Sequence, residues 1–217
     1  MDASGFLLAF VPLFVVVDPL ASIGLFLGLT TRHDAEGRDR VAVRATFFAG
    51  AVLACFAVAG QAILRYLGIE LYSLRVAGGI LLTLIGLNML KEGEEVPQDK
   101  LGQAELQVAT GGAHPTGRPV AHDPSLVPLG LPMLAGPGAI TLVIVQGTDA
   151  RFNGWVLGLA IAVTMLASLL ILLAASRASH VIGENGRRVI TRIMGLLTVA
   201  FAVQYVFDGI NAWQATR

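Results

Sequence analysis

Two prolines in apolar stretches of the chain each follow a residue suited to the start of a helix. Asp18 precedes Pro19, and Gly136 precedes Pro137, which is followed by Gly138. Proline disrupts a helix when it lies in the interior, but it is favoured at the first helical position. Asp is among the best N-cap residues. Both stretches therefore predict a helix that stops part-way and a second helix that starts at the proline.

A helix that begins inside a membrane can bind an anion. Its first N–H groups have no intrahelical partner and carry the positive end of the helix dipole, which suits a carboxylate. Gly136–Pro137–Gly138 carries no charge, so we expect a substrate carboxylate there. Asp18 would repel a carboxylate, and it suits an ammonium group or a coupling proton or cation, or it only caps the helix. The competing interpretation is a pair of proline kinks packed without a cavity.

Other polar residues in apolar stretches extend this candidate site. Ser22 and Thr141 follow the two prolines by three to four residues, which places each on the first turn or so of its half-helix. Asn88 and Gln204 lie in two further apolar stretches and are expected to line the same cavity. The candidate substrate-binding set is Asp18, Pro19, Ser22, Asn88, Gly136, Pro137, Gly138, Thr141 and Gln204.

The elements that position these residues are membrane-spanning helices. The chain is 55% hydrophobic and 14% charged, against about 25% charged in soluble domains. A span of the hydrocarbon layer needs about 20 apolar residues. Six stretches qualify, which predicts an all-α protein embedded in a lipid bilayer; they are residues 6–29, 41–64, 71–90, 125–146, 152–175 and 190–210.

The six spans divide into two similar halves. Residues 1–90 hold the first three spans, 91–124 form a polar, Gly- and Pro-containing stretch that predicts a flexible linker, and 125–217 hold the last three. Spans one and four both open with Val-Pro-Leu and have a second proline seven to nine residues later. Spans three and six share an Arg-x-x-Gly start. Three spans per half is an odd number, so the halves must enter the membrane in opposite senses, an inverted repeat typical of secondary transporters.

The basic residues predict the orientation. Eleven of the 15 Lys and Arg residues fall in the loops after spans one, three and five or within the first few residues of the span that follows. Loops rich in Lys and Arg stay in the cytoplasm. Both termini are therefore predicted to lie outside the cytoplasm, which agrees with an even number of spans.

Composition and motifs also disfavour several classes of function. The formal net charge is zero, so nothing indicates a nucleic-acid partner. The sequence has no phosphate-binding loop, nucleophile elbow or zinc motif, so we expect neither an enzyme nor a protein with a cofactor or bound metal. With no ATP-binding motif, any transport is expected to be passive or driven by a gradient.

Several of these motifs resemble those of the MarC family. The most specific is the run Leu-Ala-Gly-Pro-Gly-Ala-Ile at residues 134–140. The family comprises six-span inner-membrane proteins of prokaryotes, is classed with neutral amino acid transporters, and has members similar to proton-coupled transporters of glycine and alanine. Many members have an Asn shortly after the Asp-Pro-Leu motif, where this chain has Ala21-Ser22. The other matching segments are residues 18–20, 78–81, 192–195, 203–204 and 208–210.

The sequence thus leads to a first hypothesis, with alternatives from other classes. The resemblance implies a secondary transporter of small neutral amino acids, coupled to a proton or another cation. The alternatives are an exporter of another small metabolite and a non-transporting assembly or regulatory protein of the inner membrane, whose helix breaks would be packed dry. A chain this short can also assemble into a homo-oligomer.

Overall fold

The computed structural model describes residues 3–31, 33–91, 134–149, 153–177 and 184–216. These residues form α-helices and contain no strand, as the composition predicts. In chain order the helices are α1 (Ala3–Val17), α2 (Ser22–Leu29), α3 (Ala35–Tyr66), α4 (Leu71–Lys91), α5 (Pro137–Thr148), α6 (Gly154–Arg177) and α7 (Glu184–Gln214).

Four of these helices, α3, α4, α6 and α7, are long and apolar enough to cross a membrane. The pair α1 and α2, bent by 46° at its break, adds a fifth candidate span. Helix α5 has 12 residues, fewer than the roughly 20 that a span needs. The start of the predicted fourth span and the predicted linker fall within residues 92–133, outside the described residues. The six-span inverted repeat therefore stays a prediction.

The helix boundaries differ from the predicted spans where polar residues extend a helix. The predicted third span, 71–90, agrees with α4 to one residue. Helix α3 begins six residues before the predicted second span, because Asp34 caps it by accepting a hydrogen bond from the Gly37 N–H at 2.8 Å. Helix α7 likewise begins at Glu184, before the predicted residue 190. Hydropathy marks only the apolar part of each helix.

Helices α4 and α7 pack antiparallel with their backbones in contact. A Cβ atom added to Gly79 would lie 2.7 Å from the Ala202 carbonyl oxygen, and one added to Gly86 would lie 2.8 Å from the Gly195 carbonyl oxygen. Near the C-terminal end of α7, Gly209 faces the Tyr72 carbonyl oxygen in the same way. Small residues at an interface are what allow membrane helices to approach this closely.

The α4–α7 contact gives a direct stability prediction. Gly86→Ala is expected to lower the midpoint of thermal unfolding in detergent, because the new methyl group meets backbone atoms and such overpacking costs about 1–3 kcal/mol. The matched control is Gly158→Ala in α6, where nothing lies within 4 Å of an added Cβ atom. That variant is expected to keep or raise the midpoint, since Ala favours helix more than Gly. Equal midpoints for the two variants would contradict the close contact.

Helix α5 is short but central. It contacts α1, α3, α4 and α6. Eight of its 12 residues are buried, and they include Thr141 and Gln146. Apolar side chains of α1, α2, α3, α5 and α6 form one core around it. From Gly138 onward, the start of α5 is therefore buried in the bundle, whereas Pro137 is exposed.

Candidate functional site

The first helix break lies at Asp18. Helix α1 ends at Val17, and Asp18 adopts a left-handed conformation with φ of +43°. Among residues other than Gly, Asp and Asn tolerate this conformation best. Residues 19–21 then form a turn before α2 begins at Ser22. The break expected in the first span is therefore present.

The N-cap of α2 is Ala21, and no described side chain caps the helix. The expectation that Asp18 is the N-cap is therefore wrong, and Asp18 instead bonds the turn that precedes α2. Its Oδ1 accepts a hydrogen bond from the Ala21 N–H at 3.2 Å, and its carbonyl oxygen accepts one from the Ser22 hydroxyl at 3.1 Å. The expectation that the helix starts at Pro19 is wrong. Because Asp18 is left-handed, the chain needs a turn to regain the helical direction, and Pro19 lies in that turn.

The other carboxyl oxygen of Asp18 has no partner among the described residues. Asp18 is 8% exposed, and its Oδ2 is buried without a hydrogen bond. A buried polar atom without a partner costs free energy, and a carboxylate at membrane depth costs about 2.5–3.5 kcal/mol on insertion scales. Such an oxygen is suited to receive a proton, a cation or an ammonium group.

The second helix start lies at Gly136. This residue is the N-cap of α5, with extended backbone (φ −71°, ψ 168°), and Pro137 occupies the first helical position as predicted. No side chain caps this end, and the Ile140 N–H bonds to the Gly136 carbonyl oxygen at 3.0 Å. The N–H groups of Gly138 and Ala139 precede the first intrahelical bonds. Both residues are buried, so these donors are directed into the protein.

Contacts at both ends of α5 place the two helix breaks side by side. The Gln146 carboxamide donates a hydrogen bond to the Ala9 carbonyl oxygen at 3.2 Å. Eight residues earlier in α5, a Cβ atom on Gly138 would lie 3.3 Å from Val16 Cγ1. Helices α1 and α5 are therefore antiparallel, and their register brings Asp18 level with Gly136. The two helix breaks therefore lie at the same level along the paired helices.

The contacts of α5 with α4 show how deep in the membrane the two helix breaks lie. A Cβ atom on Gly138 would lie 2.4 Å from Leu82 Cδ2, and Leu82 is near the middle of α4. One turn further along α5, the Thr141 methyl group lies 2.2 Å from a Cβ atom placed on Gly78. Because α4 is just long enough to cross the hydrocarbon layer, the start of α5 lies near mid-depth.

The structure brings together some of the candidate residues and separates others. Ser22 and Thr141 are buried on the first turns of α2 and α5. Asn88 and Gln204 are exposed on α4 and α7, so the expectation that they line the same cavity is wrong. Asn88 follows Gly86 by two residues, and Gln204 follows Ala202 by two residues. Gly86 and Ala202 both lie in the contact between α4 and α7. A shift of two residues rotates a side chain by about 200°, to the opposite side of the helix.

Sequence reasoning missed two polar side chains in the bundle interior. Gln146 joins α5 to α1, and its Oε1 is buried without a partner among the described residues. Thr164 is fully buried on α6, and its hydroxyl oxygen also has no hydrogen-bond partner among the described residues. Helix α6 contacts both α1 and α2, the two halves of the broken span. Thr164 lies within an apolar stretch, and Gln146 lies at the end of one. Their polarity at these positions is the sequence feature that could have identified them.

The space between the two helix breaks is closely filled. Val16 and Leu82 press against Gly138, and Pro19 is fully buried. Two clefts lie elsewhere among the described residues. One runs along the outer surface between α4 and α7, and the other lies between α3, α5 and α6.

The long apolar helices define a multi-spanning integral membrane protein, and two helix breaks lie among them. The chain belongs to the MarC family: the model described as MarC family integral membrane protein matches residues 3–214. This confirms the resemblance seen in the motifs.

Relatives match over almost the full chain. A UPF0056 membrane protein of Methanocaldococcus jannaschii is 36% identical over 213 residues, covering 97% of this chain and 98% of the relative. One from Aquifex aeolicus is 33% identical, covering 95% and 92%. The UPF0056 inner membrane protein MarC of Citrobacter koseri is 32% identical, covering 94% and 92%. No solved structure matches the chain.

Proposed function

We propose that this protein is a secondary transporter of the inner membrane that moves small neutral amino acids, coupled to a proton or another cation. One observation carries the proposal. A buried carboxyl oxygen of Asp18, without a partner among the described residues, lies level with the start of α5 at Gly136, which no described side chain caps. A negative group and a positive helix end, side by side near mid-depth, match the two charges of an amino acid zwitterion.

The chemistry of the two groups assigns an orientation to the substrate. The carboxylate would accept hydrogen bonds from the N–H groups of Gly138 and Ala139, where the helix dipole favours negative charge. The ammonium group, or the coupling ion, would bind Asp18 Oδ2. Val16 and Leu82 lie against Gly138 and leave little room for a side chain. This packing favours substrates of the size of glycine and alanine.

The proposed mechanism is alternating access to a fixed site. Two inverted halves would rock about the paired helix breaks, opening the site to one side at a time. The close packing around Gly138 corresponds to the occluded state of this cycle. The cytoplasmic side would be the one rich in Lys and Arg, with both termini outside. No catalytic step or cofactor is part of the proposal, since an ion gradient supplies the free energy.

Flux in proteoliposomes tests the proposal. Purified protein in liposomes is expected to accumulate labelled glycine and alanine above the level of empty liposomes when a proton or sodium gradient is applied. Leucine is the matched control and is expected to remain near background, because its side chain does not fit beside Leu82. Absence of glycine and alanine flux under every gradient and in both directions, with folded protein present, would contradict the proposal.

The packing of the site favours a second candidate, a non-transporting membrane component. Gly138 is already in contact with Val16 and Leu82, as expected for helix breaks packed without a cavity. In that case Asp18 would only stabilise the turn before α2. A ligand that binds the folded state raises the apparent stability. A transporter is therefore expected to show a higher unfolding midpoint in millimolar glycine, and a structural component is not.

A further inference from the structure

We propose that two copies of this chain pair in the membrane through the outer face of α7, around Gln204. Gln204 is exposed on α7, and its carboxamide donates a hydrogen bond to Asp208 Oδ1 at 2.8 Å on the same helix. Its carbonyl oxygen and remaining N–H lie on the outer surface of the bundle. This inference does not depend on the transport function.

The depth of Gln204 makes its exposure costly. Ala202 faces Gly79 on α4, close to the middle of that helix, so Gln204 lies within about 6 Å of mid-depth at 1.5 Å per residue. Half of the hydrocarbon layer is about 15 Å thick. A carboxamide at this depth meets lipid chains that offer no hydrogen bonds. Asp208 accepts a hydrogen bond from one of its N–H groups, and a second protein chain can supply a polar partner for the groups that remain.

A second copy supplies that partner by symmetry. A carboxamide has both donors and an acceptor, so two Gln204 side chains related by a two-fold axis can satisfy each other.

The apolar residues beside Gln204 have the spacing of a helix-pairing surface. The exposed side chains recur alternately three and four residues apart along α7, and Phe207 is 58% exposed. This alternation is the pattern of a left-handed helix pair, in which side chains of one helix fit between those of the other. The α7 seam comprises Ile193, Leu196, Ala200, Val203, Phe207 and Ile210.

Disulfide cross-linking in native membranes tests the pairing. Val203→Cys or Ala200→Cys, each in a Cys55→Ala background, is expected to form a covalent dimer when copper phenanthroline oxidises the two thiols. A disulfide requires Cα atoms within about 7 Å, so only residues at the interface should react. Two matched controls should stay monomeric: the unmodified chain, whose Cys55 is exposed on α3, and Leu84→Cys, exposed on α4, in the same background.

Substitutions at Gln204 separate its role from the packing of the seam. Gln204→Leu is expected to weaken dimerisation by about 3- to 30-fold, which corresponds to loss of one interhelical hydrogen bond in a membrane. Gln204→Asn should retain most of the dimer. Both changes face outward, so the unfolding midpoint of the monomer in detergent should not change. Equal cross-linking at Leu84→Cys, no cross-link at either seam position, or full dimerisation of Gln204→Leu would overturn the proposal.

Discussion

Asp18→Asn is expected to reduce coupled flux of glycine by about 10- to 100-fold, because a hydrogen bond to a charged group contributes about 1.5–3 kcal/mol. Asparagine still has a side-chain oxygen that can accept the Ala21 N–H, and it tolerates the left-handed conformation of residue 18. The hydrogen bond to the turn before α2 is therefore kept, and only the ionisable group is lost. Initial rates in proteoliposomes, with a proton or sodium gradient, measure the effect.

Two further variants separate the possible roles of Asp18. Glu70→Gln removes an exposed carboxyl group outside the bundle and should leave flux unchanged. Asp18→Ala removes the hydrogen bond to the Ala21 N–H as well as the charge, and loss of such a bond costs about 1 kcal/mol, so this variant should also unfold at a lower temperature. If Asp18→Asn transports as well as the unmodified protein, Asp18 only stabilises the turn before α2.

Gly136→Ser is expected to weaken glycine binding at least tenfold with little change in stability. The backbone of Gly136 is extended, as an N-cap requires, so a serine hydroxyl would accept the N–H groups at the start of α5. Those are the donors proposed to hold the substrate carboxylate, and loss of one such bond corresponds to at least about tenfold in affinity. Exchanging Gly for Ser at an N-cap changes stability by only a few tenths of a kcal/mol.

The control for this variant is Gly136→Ala, which adds a methyl group without an acceptor. It should retain most of the glycine affinity, and this result would separate competition for the N–H groups from steric blocking. Binding is measured as the shift in unfolding midpoint with increasing glycine. Unchanged affinity in Gly136→Ser would show that the carboxylate does not bind at α5.

These variants address the two helix breaks as one unit. Asp18 and Gly136 are about 120 residues apart in sequence, yet the antiparallel register of α1 and α5 makes them neighbours. If they hold opposite ends of one substrate, each variant should impair both binding and flux. If only one break binds a ligand, variants of the other should affect stability alone.

Local sequence determined the membrane location and the positions of the breaks. Length of apolar sequence decides whether a helix can span a membrane, and Pro19 and Pro137 mark interruptions because proline acts on its own turn. Gly136 as an N-cap follows from the same local rule. The start of α2 was missed, since the left-handed backbone of Asp18 depends on its surroundings.

Only the tertiary structure decided which residues meet. Asn88 and Gln204 are polar residues in apolar spans, like Ser22 and Thr141, but they lie on the outside. Helices α4 and α7 are apolar around most of their circumference, so hydropathy does not reveal which side faces inward. Contact of glycines across the α4–α7 interface sets that rotation, and the register of α5 against α1 sets the position of Gly136 beside Asp18. Both depend on partners distant in the chain, which no local pattern specifies.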